Sequence, residues 1–221
     1  MYGLVSWNLM PSSPRRFPSF VDRVASDGVA GWSVHDKAVA AQRSGRDVII
    51  LSVGDPDFPT PEPIVCAAVE ALRNGDTHYT DMSGRPELRH AVATDVGSRR
   101  GLDYTADNAI ITAGTQGALV QASLCLLEAG DEVIAFEPMF LTYQGTFCAG
   151  GARLVTVPQP ATSGFRPDLD AFRAATTNRT RVVVLTNPNN PTGVMLREAE
   201  LREIASLAIC LLYTSPSPRD A

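Results

Sequence analysis

Asn187-Pro188-Asn189-Asn190-Pro191-Thr192-Gly193 is the run in this chain whose residue types and spacing could do chemistry most specifically. It comes one residue after Arg181-Val182-Val183-Val184-Leu185, which has the β-branched, uninterrupted apolar character of a strand buried on both faces. Two prolines and a closing glycine end the ladder and force a tight turn at the strand's carboxyl end. In an open parallel α/β sheet that end is where ligands sit. Asparagine amides on such a turn offer both a donor and an acceptor to a polar ring. Taken alone, the run is equally a loop built from turn residues.

Two further segments have matching chemistry. Gly114-Thr115-Gln116 follows an apolar stretch and opens a helical pattern. Free backbone N–H groups and the helix dipole there attract an anion. Gly114 permits close backbone approach, and the Thr115 hydroxyl adds a donor. The segment is neither a P-loop nor a Gly-x-Gly-x-x-Gly fingerprint, and a plain glycine-containing helix start is its alternative reading. Phe140, just past Pro138, offers an aromatic face on which a planar ring could stack, although a lone phenylalanine is usually core.

These groups need elements to position them. Periodicity predicts a helix over about residues 21–43 and a short strand at 48–51. A Gly/Pro-rich loop over 54–61 follows, and Thr60 is expected to cap the next helix, with Pro61 in its first turn. The apolar face of that helix is Ile64, Val65, Ala68, Val69 and Leu72, and Gly75 ends it. Pro86 opens another helix with Leu88, Val92 and Val96 on its face. From Ala109 strands and helices alternate. Strands are expected at 109–112, 132–136, 153–157 and 181–185, with helices from Gly114 to near Gly130, after Phe140, and at about 167–174. A final helix over 196–208 turns Leu196, Ile204 and Leu207 inward and Arg197, Glu198 and Arg202 to water. This βαβ alternation implies an open α/β sheet covered by helices and joined by right-handed crossovers. Strand order is not legible.

The Asn-Pro-Thr-Gly turn, the glycine loop and the segment Glu137-Pro138-Met139-Phe140-Leu141-Thr142-Tyr143, in this order, resemble the class I/II aminotransferases, which use pyridoxal phosphate. The resemblance is collinear over about residues 17–208. It implies a three-layer α/β fold, the fold type I large domain with a mostly parallel sheet between helices, incomplete in this chain. The implied division is a leader over 1–17, a small-domain arm over 18–59 and the cofactor-binding large domain over 60–209. By resemblance, Gly114, Thr115 and Gln116 fall on the phosphate loop, and Phe140 falls on the aromatic that stacks on the cofactor ring. Asn190 falls on the asparagine that binds the phenolic oxygen, near the substrate carboxylate. Tyr79 matches a tyrosine that reaches the cofactor phosphate of the other subunit of a homodimer, and Gly54 a glycine lining the substrate carboxylate. Within the family, Val24-Ala25-Ser26-Asp27-Gly28 with Trp32, Leu51 to Phe58, and Asp76-Thr77-His78-Tyr79 look most like arginine–pyruvate transaminases. The implied reaction is ping-pong transamination between an amino acid and a 2-oxo acid. Two alternatives stay open: another chemistry on the same fold, such as a carbon–sulfur lyase or decarboxylase, and the cofactor-binding sensor half of a transcription regulator. The latter carries a basic winged-helix domain upstream, whereas a short leader precedes residue 18 here.

Such chemistry needs a lysine to hold the cofactor as a Schiff base. The chain has a single lysine, Lys37, far upstream of the turn, while the family's lysine lies downstream of it. Beyond Ile209 the helical pattern gives way to Cys210-Leu211-Leu212-Tyr213-Thr214-Ser215-Pro216-Ser217-Pro218-Arg219-Asp220. These residues back-translate, with permissible codons throughout, to a transposon-end adapter of shotgun sequencing libraries. Genuine sequence is therefore expected to end near Ile209, with 210–221 excluded from fold reasoning. The chain as written is expected to contain no catalytic residue and to be inactive.

Composition narrows the rest. Net charge is −5 with no basic stripe, which argues against nucleic acid. There is no apolar run of about eighteen residues to span a membrane. The start Met1-Tyr2-Gly3-Leu4-Val5-Ser6-Trp7 lacks a cationic n-region. Cys66, Cys125 and Cys148 show no metal-like spacing and are expected as buried free thiols, and His35, His78 and His90 are scattered. No metal is expected, and a reduced cytoplasm suits these thiols.

Overall fold

The computed structural model describes residues 17–18, 20–24 and 28–213. Residues 1–16 of the expected leader and 214–221 of the expected adapter segment lie outside them. Eleven regular elements follow in chain order among the described residues. They are α1 (Phe20–Val24), α2 (Gly28–Arg43), α3 (Glu62–Arg73), α4 (Pro86–Arg100), α5 (Gly114–Leu126), β1 (Glu132–Glu137), α6 (Tyr143–Cys148), β2 (Arg153–Pro158), α7 (Leu169–Ala175), β3 (Thr180–Val184) and α8 (Glu198–Tyr213). They form two compact units. One is Val34–Gln121; the other comprises the described parts of Met1–Ser33 and Ala122–Ala221.

The second unit holds a parallel sheet in the order β2-β1-β3. Its central strand β1 is buried from Glu132 through Phe136, as expected of a strand with neighbours on both sides and helices on its faces. The valines predicted to be doubly buried belong instead to β3, which is half-buried. Among the described residues β3 has one strand neighbour, so one of its edges lacks a partner to cover it. Ile134, Phe136, Val157, Phe172 and Ile204 form the core, joining β1 and β2 to α7 and α8. The Phe136 and Phe172 rings meet at 5.6 Å, tilted by 41°. The α7 start is capped by Asp168, whose carboxylate accepts from Ala171 N at 2.8 Å, worth about 1 kcal/mol. On α8, Ile204 is buried, Leu207 packs against the core, and Glu198 and Arg202 face water as the periodicity predicts; buried Leu196 and exposed Arg197 lie just before its first residue. The helix runs on through Tyr213, past its expected end at residue 208.

In the first unit several expectations fail. Residues 48–51 and 109–112 are not strands. Ile49 and Leu51 are 83% and 88% exposed, and a β-rich sequence without an adjacent strand has no ladder to join. Ile111 instead donates its N–H to Ser83 O at 2.9 Å. The α3 cap is Pro61, with no side-chain cap bond, so Thr60 does not cap the helix. The apolar face of α3 contains no buried residue, and Leu88, Val92 and Val96 of α4 are likewise exposed. Ala93 and Gly97 are the buried positions of α4, because Gly97 lies against the Leu102 carbonyl where a Cβ would stand 2.6 Å from it. Cys66 of the first unit and Cys125 of the second are exposed, contrary to expectation, because each lies on a helix face that no described residue of its own unit buries; Cys148, in the second unit, is buried.

Candidate functional site at the strand ends

Parallel strands β1 and β3 deliver their carboxyl ends side by side, and the candidate groups of the second unit lie just beyond. After β1 the chain runs Pro138-Met139-Phe140 into α6. Phe140 meets Tyr143 edge-on at 6.0 Å, and Tyr143 meets Phe147 edge-on at 5.5 Å. These contacts seat the half-buried Phe140 on a short aromatic ladder. The Tyr143 hydroxyl and the Thr186 hydroxyl, just past β3, are 2.6 Å apart. Tyr143, Thr186, Gln159, Asn189, Phe136 and Leu196 line a cavity of about 10 Å³, the size for a single water.

The turn after β3 closes on itself. Asn189 N donates to Val194 O at 2.9 Å, Gly193 N donates to Asn189 O at 2.7 Å, and Leu196 N donates to Asn187 Oδ1 at 2.9 Å. Gly193 occupies φ +71, a conformation that most side chains resist. Asn190 is exposed at the turn, whereas its neighbour Asn189 is 8% exposed and directs its amide inward. That inward amide donates to Pro138 O and Thr192 Oγ1, each at 3.0 Å, and to Gln159 Oε1 at 3.4 Å. The Phe140 and Asn190 segments are thus brought together through a residue that sequence reading passed over. Arg166 adds a latch, pairing with the Glu200 carboxylate and donating to Met195 O at 2.7 Å. Burial, then the nearby Arg197 charge, lowers the Arg166 pKa.

In the first unit, Gly114 opens α5 at φ +72 and is exposed; nothing stands within 4 Å of where a Cβ would be. Thr115 is exposed and Gln116 half-buried on the first turn of α5; the Gly114 N–H is donated to Thr112 O at 2.8 Å, so an anion at this helix start would meet the first-turn groups that follow it. The preceding chain is braced. Arg89 Nε donates to Ala109 O at 2.8 Å, and Gly84, at φ +99, lies so close to Ile111 that a Cβ would meet it at 2.5 Å. Tyr79 and Gly54 are exposed on loops. Asp76, near Tyr79, ion-pairs with Arg85 and raises its pKa. A groove of about 360 Å³ lies between α4 and Tyr104, and its lining includes none of Gly54, Tyr79, Gly114, Thr115 and Gln116.

At the opposite, amino end of β1, Glu132 is fully buried. Its carboxylate accepts from Arg153 at 2.6 Å, Thr177 Oγ1 at 2.7 Å and Arg179 Nε at 3.0 Å. Hydrogen bonds from Arg153 and then Thr177 hold its pKa down to about 2. Every neighbour satisfies it, so it serves as a structural knot. The sequence signal was present: a carboxylate opening one apolar strand and an arginine opening the next.

The second unit thus presents an asparagine turn and an aromatic seat at the carboxyl ends of a parallel sheet, and the first unit presents a glycine-led helix start of the kind that can hold an anion. The model of aminotransferase class I and II matches residues 46–210, and the chain belongs to that family. It is 43% identical over 194 residues to an arginine–pyruvate transaminase of Pseudomonas aeruginosa, covering 88% of this chain and 49% of that protein. It is 39% identical over 172 residues to an aspartate aminotransferase of Thermotoga maritima, covering 78% and 46%. The solved aspartate aminotransferase of Thermus thermophilus with maleate superposes with a TM-score of 0.83 at 35% identity, over 90% of this chain and 51% of that one. The fold is therefore the aminotransferase type I fold, and the chain spans about half the length of these relatives. No helix among the described residues is long and apolar enough to cross a membrane.

Proposed function

We propose that the protein containing this chain transfers an amino group between an amino acid and a 2-oxo acid with pyridoxal phosphate, and that arginine and pyruvate are the favoured pair. The observation that carries the reading is the Asn189–Pro138 hydrogen bond, which joins the asparagine turn to the Phe140 segment at the strand ends. The residues present suit the cofactor. Gly114 leaves open the space that a Cβ would fill above the first turn of α5, so a phosphate can approach the backbone of that turn closely. When bound, pyridoxal phosphate supplies an aldehyde for the amino group and a ring that takes up the electron pair of the substrate's α-carbon.

The chain's own residues bind and orient. Gly114, whose own N–H is held by Thr112 O at 2.8 Å, gives the phosphate room, Thr115 donates to it, and Gln116 lines the same helix start. Phe140 stacks on the ring and helps exclude water from it. Asn190 donates to the phenolic oxygen and contributes, with Gly54, to the place of the substrate carboxylate. Tyr79 reaches the phosphate held by the second subunit of a homodimer. The division into a small-domain arm over 18–59 and a large domain over 60–209 belongs to this reading, as do a cytoplasmic setting and an adapter origin for 210–221. Lys37, the single lysine, lies on α2 and takes no part, so the 221-residue chain by itself binds without turnover.

Circular dichroism in the cofactor's own absorbance band tests this. A chiral site induces a signal that saturates as pyridoxal phosphate is added to folded chain, and borohydride leaves Lys37 unmodified. Absence of an induced signal, or a stoichiometric reduced adduct at Lys37, would overturn the reading.

A further inference from the structure

Asn189 is given no contact with the cofactor in the reading above, yet its side-chain amide makes three hydrogen bonds beside the candidate site. Pro138 O is a pure acceptor, so the N–H end of the amide must face it, which sets the amide's orientation. Two N–H groups serve three acceptors. The bonds to Pro138 O and Thr192 Oγ1, both 3.0 Å, are the strong pair, and Gln159 Oε1 at 3.4 Å is a weaker third. Pro138 follows β1, Gln159 follows β2 and Thr192 belongs to the turn after β3, so one amide joins the exits of all three strands. Gln159 is itself buried and donates its own N–H to Glu137 O at 2.7 Å.

The backbone bonds of the turn close it upon itself but do not tie it to β1; the Asn189 side chain does. Asn190 is its next residue, and Phe140 lies two residues beyond Pro138. The Tyr143–Thr186 hydroxyl pair ties the two segments at the foot of the turn, and the Asn189 side chain is the bond that ties the turn itself, next to Asn190, to the Phe140 segment.

The geometry points to Asn189 as the positioning residue that keeps Asn190 and Phe140 in register for a planar ring bound between them. This rests on the proposed cofactor reading, and it makes Asn189, which touches no ligand, necessary for the affinity of Asn190 and Phe140. Asn189→Asp sharpens the expectation. Its carboxylate has nearly the same shape but, when ionised, places a charged acceptor against the Pro138 carbonyl. Protonation restores one donor.

Hydrogen exchange followed by mass spectrometry on the full chain, with pyridoxal phosphate affinity measured by equilibrium dialysis, tests the inference. In Asn189→Ala, amides of residues 139–143 and of residues 189–194 exchange faster together, and the dissociation constant rises about tenfold, the effect of one good hydrogen bond. In Asn189→Asp, affinity is weak at neutral pH and recovers as pH falls through the carboxyl's titration, a profile wild type lacks. Asn190→Ala weakens binding at every pH and leaves both exchange patterns as in wild type. Faster exchange confined to 189–194, or wild-type affinity of Asn189→Asp at pH 8, overturns the role of Asn189. If Asn189→Ala does not fold, Asn189→Asp and Thr192→Val carry the same exchange comparison. A folded wild type that binds no pyridoxal phosphate overturns the cofactor reading instead, and the exchange patterns still decide whether Asn189 joins the two segments.

Discussion

The hydroxyls of Tyr143 and Thr186, 2.6 Å apart, join the helix after β1 to the chain two residues beyond β3. Both groups line the cavity behind the candidate site, and Tyr143 also carries the edge-on contacts to Phe140 and Phe147. Tyr143→Phe keeps the rings and loses the bond, at a cost of about 1 kcal/mol in urea unfolding. Thr186→Val costs a similar amount, and the double variant little more than either, because the two changes remove one shared interaction. Additive losses would show that the hydroxyls do not act as a pair.

Thr115→Val tests the helix start. The substitution keeps the branched shape and removes one donor of several to the proposed phosphate. A lost hydrogen bond to a charged group costs roughly 1.5–3 kcal/mol, so affinity for pyridoxal phosphate drops about ten- to a hundredfold without vanishing. An unchanged dissociation constant would take Thr115 out of the site.

Gly114→Ala separates conformation from space. Nothing would obstruct the new methyl group, but φ +72 is a left-handed conformation that costs a non-glycine residue about 1–2 kcal/mol. The variant should be less stable by that amount in chemical denaturation and should bind inorganic phosphate more weakly. Wild-type stability would mean that α5 does not start in this conformation in solution.

The Glu132 knot predicts an acid dependence. Its carboxyl pKa in the folded chain is about 2, below the ordinary value of 4.5. Its stabilising contribution is therefore complete above about pH 4.5 and is lost as pH falls toward 2. Glu132→Gln should be less stable than wild type at pH 7, and its stability should fall less steeply between pH 4.5 and pH 2. Parallel pH profiles for the two proteins would show that Glu132 has no depressed pKa.

Local pattern revealed the second unit well because its elements carry their own signals. The apolar run at 132–136 became β1, the valines near 182–184 became β3, and Ile204 and Leu207 faced the core. Apart from the Thr60 cap, whose place Pro61 takes, the failures depended on a neighbour that periodicity cannot supply. Among the described residues, 48–51 and 109–112 have strand-like composition but no partner strand, and no residue of the apolar face of α3 is buried. At the site, the turn itself was legible. The distinction between Asn189 and Asn190 was not, because it depends on Pro138 and Gln159, 51 and 30 residues away. The partners of Glu132 are likewise 21 to 47 residues distant, and only the folded sheet brings them together.

The most direct test of the central claim is equilibrium dialysis of pyridoxal phosphate against the folded 221-residue chain, alongside its Asn190→Ala and Thr115→Val variants. The account predicts saturable, non-covalent binding of one cofactor per chain, weakened in both variants while their circular dichroism stays native. Folded wild-type chain that shows no saturable binding, or binding that both variants leave unchanged, would contradict it.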